Sequence, residues 1–542
     1  MTEKTTTEKP KLISQLFESL KGDKYSEKSK NILKYPLVQI EISPKIPLLK
    51  KQLDKTKIDI RYGLVPPFAF AHIYWEPKIS EVLYEIEEPI LTPEESKHKE
   101  EIITAMKDMI DFNVLVEKDI TKLLEYIDRM FKILAVELGI EISYESYRKI
   151  FYYLYRDFIG FNEVEPLLSD YFIEDIECNG ANTPVYIVHR VYRNLKTNLV
   201  FKNIDSLASF VEKLSQKCGK YISYAQPILD GSLPDGSRIN ATYTKDITSR
   251  GPTFTIRKFT KSPWTPPQLL EKRTLSPEML AYIWLLLEYK MSILIAGGTA
   301  SGKTTLLNAI AFFIPPEARV VSIEDTRELS LPRENWLPSV VRTATGTEKT
   351  GEVDLFTLLR ASFRQNPDYV IVGEVRGREA SVLFQGMASG HSSIGTIHAD
   401  SVDTVIKRLE TPPIELSPSL LNVLDCVCVM THAIVKKQET RKLREIVEII
   451  NVAQNGVTTT NTPFVWNARE DQFYFKKNSK IFEKISTRYG LTQKEIEEEF
   501  RKRTQLVYKL FQTNVVEFNE VQEVINRYYK NPESVLKEFK IV

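Results

Sequence analysis

Between Gly297 and Thr304 the chain reads GGTASGKT, which fits the spacing GxxxxGK[ST]. That order suits a polyanion: the backbone of Gly297, Gly298, Thr299, Ala300, Ser301 and Gly302 can come close enough for its N–H groups, with the next helix N-terminus, to form a nest for a triphosphate. Lys303 would reach the β- and γ-phosphates, the Thr304 hydroxyl would ligate Mg²⁺, and Thr305 continues the cradle. Acids and an imidazole follow at the ends of three apolar runs. Glu324 and Asp325 close Arg319 to Asp325, Glu374 closes Tyr369 to Glu374, and His398 closes Ser393 to His398. Open α/β folds bind ligands at the carboxyl ends of their strands, so these groups would converge on the phosphate loop. Solvated strand ends are the plainer reading of the acids, and an ordinary hydrogen-bonding imidazole that of His398. The set as a whole suits in-line attack on a γ-phosphorus, which needs an oriented water and cations on the phosphate oxygens.

Positioning these residues requires strands and helices in alternation. Met291 to Ala296 reads as the strand that delivers the loop, and Thr305 to Ile310 as the helix that leaves it. From there to about residue 455 the alternation continues, the pattern of a mostly parallel sheet with helices on both faces. Upstream, Lys261 to Pro267 holds three prolines in five residues, which can continue neither a helix nor a sheet ladder, and so reads as a linker. Residues 141–260 mix helices with strands such as Pro184 to Val188 and Thr253 to Arg257. Residues 31–140 begin with proline-punctuated apolar runs and pass into a helical stretch from Pro93. There Ile102, Met106, Met109, Ile110, Leu123, Leu124 and Ile127 recur at helical spacing. The expected division is a mobile N-terminal arm over 1–30, an α/β and helical region over 31–140, an α/β domain over 141–260, a proline-rich linker over 261–275, a nucleotide-binding domain over 276–455 and a helical extension over 456–542. In that extension Thr460 to Pro463 reads as a turn and Gln493 to Phe511 as a charged amphipathic helix.

Composition narrows the classes. The 542 residues, 42% of them hydrophobic, can bury several cores. With 73 basic and 72 acidic residues the net charge is +1, which gives no global electrostatic case for nucleic acid. No apolar run reaches the roughly 18 residues of a spanning helix, and the first residues lack a signal-peptide core, so a cytoplasmic location is expected. Cys178, Cys218, Cys426 and Cys428 form no CxxC pair and read as plain thiols.

Four signatures together resemble the secretion ATPase superfamily, which powers type II and type IV secretion, type IV pili and the archaellum. They are the phosphate loop, the acidic box Ile323-Glu324-Asp325-Thr326, the Walker B run Gly373-Glu374-Val375-Arg376-Gly377, and the His box from Ala388 to His391 and from Thr396 to Asp400. Gly373 stands where many ATPases carry Asp, and in this superfamily that glycine is normal. Leu233 to Asn240 and Gly251 to Lys258 look like the superfamily's N-terminal domain, so the resemblance covers roughly residues 140 to 455 and is nearest to the archaeal branch. The tetracysteine motif of many bacterial type II members is missing.

The resemblance implies a C-terminal RecA-like P-loop ATPase domain joined by a flexible linker to an α/β N-terminal domain, with ATP and Mg²⁺ bound. It also implies a homo-hexamer at the inner face of the cell membrane that drives a pilus- or archaellum-like filament, or secretion, through a polytopic membrane platform protein, with pilin or archaellum components as partners; the neutral net charge and the lack of aromatic-interleaved basic clusters give the expectation of no nucleic acid. A DNA-transfer ring ATPase is the alternative. Within such a site Glu324 orients or deprotonates the water and Glu374 holds the Mg²⁺ shell, with the exchange of these two roles left open, while His398 senses the γ-phosphate. Arg238, Arg250 and Arg257 are candidates to reach a phosphate from the same or a neighbouring subunit, or else are surface and ion-pair residues. Arg360 and Arg364, four apart, would present one basic face or form a salt bridge.

Overall fold

Alternation of buried and exposed residues marks strands in the first half of the chain, and uninterrupted burial marks the central parallel strands of the second. The computed structural model describes residues 26–541 except 43, 45, 48, 50–51, 53, 110–118, 260–261, 343–350, 437 and 455–456. Of the arm expected over 1–30, residues 1–25 therefore lie outside the described residues, and Glu27–Lys30 form a helical turn. The chain divides into two units, one ending at Lys258 and the other beginning at Phe259.

In the first unit β1 (Asp59–Val65), β2 (Ala69–Glu76), β3 (Glu81–Glu87), β4 (Ile173–Cys178), β5 (Pro184–His189), β6 (Arg193–Val200), β7 (Ile228–Ser232), β8 (Arg238–Thr242) and β9 (Thr253–Arg257) form one sheet in the order β1-β2-β3-β6-β5-β4-β9-β8-β7. Its pairings are antiparallel except β3 with β6. Period-two alternation, as at Val185, Ile187 and His189 of β5, gives the sheet a buried face. Helices Ile120–Glu137, Tyr144–Leu154 and Ile204–Lys217 share its apolar cluster, and Asp119, Ser143 and Asn203 cap their N-termini. The expected division at residue 140 is thus corrected: residues 59–87 and 173–257 build a single sheet. Its seam is the parallel pairing of Leu83 with Lys196 and Tyr84 with Thr197. Asp170, 1% exposed, locks that seam by accepting the hydroxyls of Tyr62 and Tyr84 at 2.7 Å each.

In the second unit β10 (Ile293–Gly297), β11 (Val320–Glu324), β12 (Trp336–Val340), β13 (Tyr369–Val372), β14 (Ser392–Ile397), β15 (Cys426–Val435), β16 (Gln438–Val452), β17 (Thr458–Asn467) and β18 (Gln472–Phe475) form the second sheet. Its order is β12-β11-β13-β14-β10-β15-β16-β17-β18. The pairings from β12 to β15 are parallel, and those from β15 to β18 antiparallel. β10, β11, β13 and β14 are buried at every position, as strands covered on both faces must be.

Two expectations on either side of this sheet change. The segment 262–275 enters the core instead of acting only as a linker: Thr265 precedes the helix Pro266–Glu271, and Leu269, Leu270 and Leu275 are buried. Proline is compatible with the first turn of a helix, whose N–H groups have no intrahelical partner. The extension over 456–542 is also no separate helical piece, since it begins with β17 and β18. Glu448 of β16, 1% exposed, ties its first helix, Lys480–Tyr489, to the sheet. That carboxylate accepts from Tyr282 Oη at 2.6 Å, Ser479 Oγ at 2.5 Å, Asn461 Nδ2 at 2.7 Å and the Lys480 amide at 2.8 Å. Helix Gln493–Gln512 packs on the buried helix Pro277–Glu288, with the Arg503 guanidinium 4.8 Å from the Trp284 ring and paired with Glu288 and Glu499.

Among the described residues no helix is long and apolar enough to cross a membrane. All four cysteines are free thiols, and Cys178, Cys426 and Cys428 are buried.

Candidate functional site

The phosphate-type loop leaves β10 at Gly297 and enters the helix Lys303–Ile310 at Gly302. Gly302 holds φ +96°, a left-handed conformation that side chains disfavour, and a Cβ there would lie 3.3 Å from Met430 Cε and 3.4 Å from Arg441 Cδ. At Gly297 a Cβ would collide with Ser301 Oγ and come within 2.8 Å of the Met430 carbonyl oxygen. β15, paired to β10 on the side away from β14, thus sets how tightly the loop is wound. Ser301 Oγ and Lys303 Nζ both donate to the Gly298 carbonyl at 2.8 Å, while Gly298, Thr299 and Ala300 are exposed. Thr304 and Thr305 follow on the first turn, partly exposed.

Around Lys303 the strand ends bring together the residues the sequence singled out. Lys303 Nζ lies 3.5 Å from His398 Nδ1, and His398 Nε2 lies 3.3 Å from Glu374 Oε1. These partners assign the neutral tautomer with the proton on Nε2, which donates to the carboxylate while Nδ1 accepts. Burial, then the Lys303 charge, lower the His398 pKa and keep that ring neutral. Burial likewise lowers the Lys303 pKa, against the pull of Glu374. Glu374 is held from the other side by Arg376, whose Nη2 donates to Oε2 at 2.6 Å and whose Nη1 lies 3.6 Å from Asp325 Oδ2. Burial opposes the charge of Glu374, but Arg376, with His398 and Lys303, outweighs it and its pKa falls below the ordinary value.

Glu324 lies beside this group in a different state. It is 2% exposed, and the amides of Glu328 and Leu329 both donate to its Oε1 at 2.9 Å. Burial pushes its carboxyl up to about 7 in spite of those two amides. Gly373 is what admits it: a Cβ on Gly373 would stand 3.1 Å from Glu324 Cγ. The glycine that replaces the usual Walker B aspartate therefore makes room for the acid on the neighbouring strand.

The remaining candidates have local partners. Arg238 pairs with Asp230 at 3.2 Å and Arg257 with Asp175 at 3.0 Å, both in the first unit. Arg250, also there, is exposed in the turn whose carbonyl receives the Ala181 amide at 3.2 Å. Arg360 lies in the last turn of the helix Leu355–Ser362 with its guanidinium 5.7 Å from the Phe356 ring, while Arg364 lies in the next 3-10 turn, so the two do not continue one α-helical face.

Residues 160–479 match the model of the type II/IV secretion system protein family. The chain belongs to that family. An uncharacterized protein of Methanocaldococcus jannaschii is 35% identical over 512 residues, 89% of this chain and 91% of its own length. The type IV secretion system protein PtlH of Bordetella pertussis is 35% identical over 229 residues, covering 38% of this chain and 67% of that protein. The crystal structure of the VirB11 ATPase from the Brucella suis type IV secretion system overlaps 52% of this chain and 92% of its own, at 25% identity and a TM-score of 0.27.

Within this family member the sequence reading missed four contributing residues. Arg376 joins the two acidic boxes, Met430 and Arg441 shape the loop from β15 and β16, and Asn308 joins the loop's helix to the segment that holds Glu324. Arg376 carried a signal, since it lies two residues from Glu374 within the Walker B run. The others depend on pairings that no local pattern announces.

Proposed function

We propose that the chain hydrolyses ATP and converts that energy into motion that drives secretion or the assembly of a pilus- or archaellum-like filament. It acts as a homo-hexamer at the inner face of the membrane, against a polytopic membrane platform protein. One observation carries the reading: Lys303, His398, Glu374 and Arg376 form a continuous chain at the mouth of the loop, with the buried Glu324 beside it.

The geometry supports a role for each residue. The N–H groups from Gly298 to Thr305 cradle the phosphates, and Lys303 exchanges its bond to the Gly298 carbonyl for the β- and γ-phosphate oxygens. Glu324 takes the proton of the attacking water, because a carboxyl near 7 is matched to proton transfer at neutral pH. Glu374 is instead held as an anion. It and the Thr304 hydroxyl would hold Mg²⁺ as hard oxygen donors, with Glu374 giving up its contacts to Arg376 and His398 to do so. That ion would supply positive charge against the triphosphate. His398, poised between Lys303 and Glu374, registers whether the γ-phosphate has drawn Lys303 away. Arg238, Arg250 and Arg257 remain candidates to complete the charge neutralisation on a phosphate, for which Arg238 and Arg257 would have to leave Asp230 and Asp175.

Lys303→Ala tests the site through release of phosphate from Mg-ATP. Turnover in that variant is expected to vanish, and retained turnover would refute the assignment. Light scattering in the presence of a non-hydrolysable nucleotide tests the ring, and a monomer at every concentration would refute it.

A further inference from the structure

Asn308 connects two parts of the site that are distant in sequence. It lies on the helix Lys303–Ile310 and is 4% exposed. Its Nδ2 donates to the Thr304 carbonyl and to the Glu328 carbonyl, each at 3.2 Å, and its Oδ1 accepts the Ser330 amide at 3.0 Å. Glu328 and Ser330 flank Leu329, and the amides of Glu328 and Leu329 are the pair that hold Glu324 Oε1. A single side-chain amide thus grips both ends of the cradle that aims Glu324. Asparagine is a middling helix former in a helix interior, so local propensity does not account for it here. A carboxamide does, because it donates and accepts from one planar group.

We infer that Asn308 is a positioning residue that ties the 328–330 segment to the loop's helix, so that a shift of Thr304 is passed on to the carboxylate of Glu324. The inference rests on the reading of Glu324 as the group that activates the water. It also gives the nucleotide a direct route to its own catalytic base: the turn that carries Thr304 and the cradle that carries Glu324 cannot move independently while Asn308 bridges them.

A double-mutant cycle on the full-length protein tests it, with steady-state ATP hydrolysis measured for wild type, N308A, E324Q and N308A/E324Q. N308A should lower kcat by about 10- to 100-fold, the loss expected from misplacing a reacting group by about an ångström, while KM for ATP changes by less than about threefold. In the E324Q background the same substitution should lower kcat by no more than about threefold, because residues that act through one another are not additive. N308D retains the acceptor for the Ser330 amide but loses both donors, so it should reproduce the kcat loss; it also keeps the test open if N308A does not fold. Equal fold-losses in the two backgrounds would show a merely structural role and overturn the inference. A change confined to KM would do so as well. Turnover at the wild-type level in E324Q alone would instead overturn the assignment of Glu324, so the two failures are distinguishable.

Discussion

Two glutamates of the second unit are equally hidden and differently satisfied. Glu448, 1% exposed, is covered on both oxygens by Tyr282, Ser479, Asn461 and the Lys480 amide. Glu324, 2% exposed, takes both of its amides on Oε1, and no donor among the described residues engages Oε2. Burying a carboxylate is costly unless donors replace the lost water, so a saturated one stabilises the fold and a half-satisfied one stores an unmet demand. At Glu448 the demand is met by a helix N-terminus and three side chains, and the carboxylate fastens Lys480–Tyr489 to β16. At Glu324 the open oxygen and the carboxyl raised to about 7 suit the proposed role of base. Burial alone therefore does not distinguish structural from chemical acids in this protein; the distribution of donors does.

The strongest way to break the comparison is Glu324→Gln. Loss of a general base should lower turnover by about 10² to 10⁴-fold. The same variant has a stability signature whose sign is fixed by the raised pKa. The ordinary value is 4.5 and the folded value about 7, so between them the unfolded chain ionises while the folded chain keeps its proton. Stability then falls as pH rises through that window, by about 3 kcal/mol in total at about 1.4 kcal/mol per unit. Glutamine removes the ionisation, so thermal unfolding should show E324Q more stable than wild type above pH 7, with the gap closing toward pH 4.5. A less stable E324Q at pH 8 would mean that the Glu324 carboxylate is satisfied after all.

Glu448→Ala should do the reverse. Removing the acceptor leaves several buried donors unpaired at about 1–3 kcal/mol each, so a loss of about 3 kcal/mol is expected in denaturant unfolding while kcat per folded molecule stays at the wild-type level. A fall in kcat comparable to that of E324Q would erase the contrast.

Legibility in the sequence divides along a related line. β10, β11, β13 and β14 were readable because each is an apolar run ending in a chemically distinctive residue, and their buried, parallel register delivers Glu324, Glu374 and His398 to one edge. β17 was not. Thr460 to Pro463 has the composition of a turn, yet it pairs with β16; the ladder shifts register there, and β18 pairs only from Phe464 onward, which is where a strand tolerates proline. The join of β3 to β6 was equally silent, since a two-residue parallel contact between segments about a hundred residues apart leaves no periodic trace. Arg376 and Asn308 were visible as residues but not as bridges, because a bridge is defined by both of its ends.

The smallest expected effect probes how finely Glu324 is placed. Gly373→Ala adds one methyl group where the space belongs to Glu324, with Cγ at 3.1 Å and Cβ at 3.4 Å from the new atom. The φ of Gly373 lies outside the left-handed region, so alanine meets no backbone strain and must be accommodated by moving the glutamate stem by a few tenths of an ångström. Oε1 is held by the Glu328 and Leu329 amides, so the displacement falls on the other oxygen, the one that meets the water in the proposed reaction. A drop in kcat of about 3- to 10-fold with KM for ATP and the melting temperature nearly unchanged is the expected result, small because the group is shifted and not removed. If G373A instead lowers stability and leaves kcat alone, Glu324 is held as firmly as Glu448, and the distinction between a saturated and an open carboxylate does not govern this site.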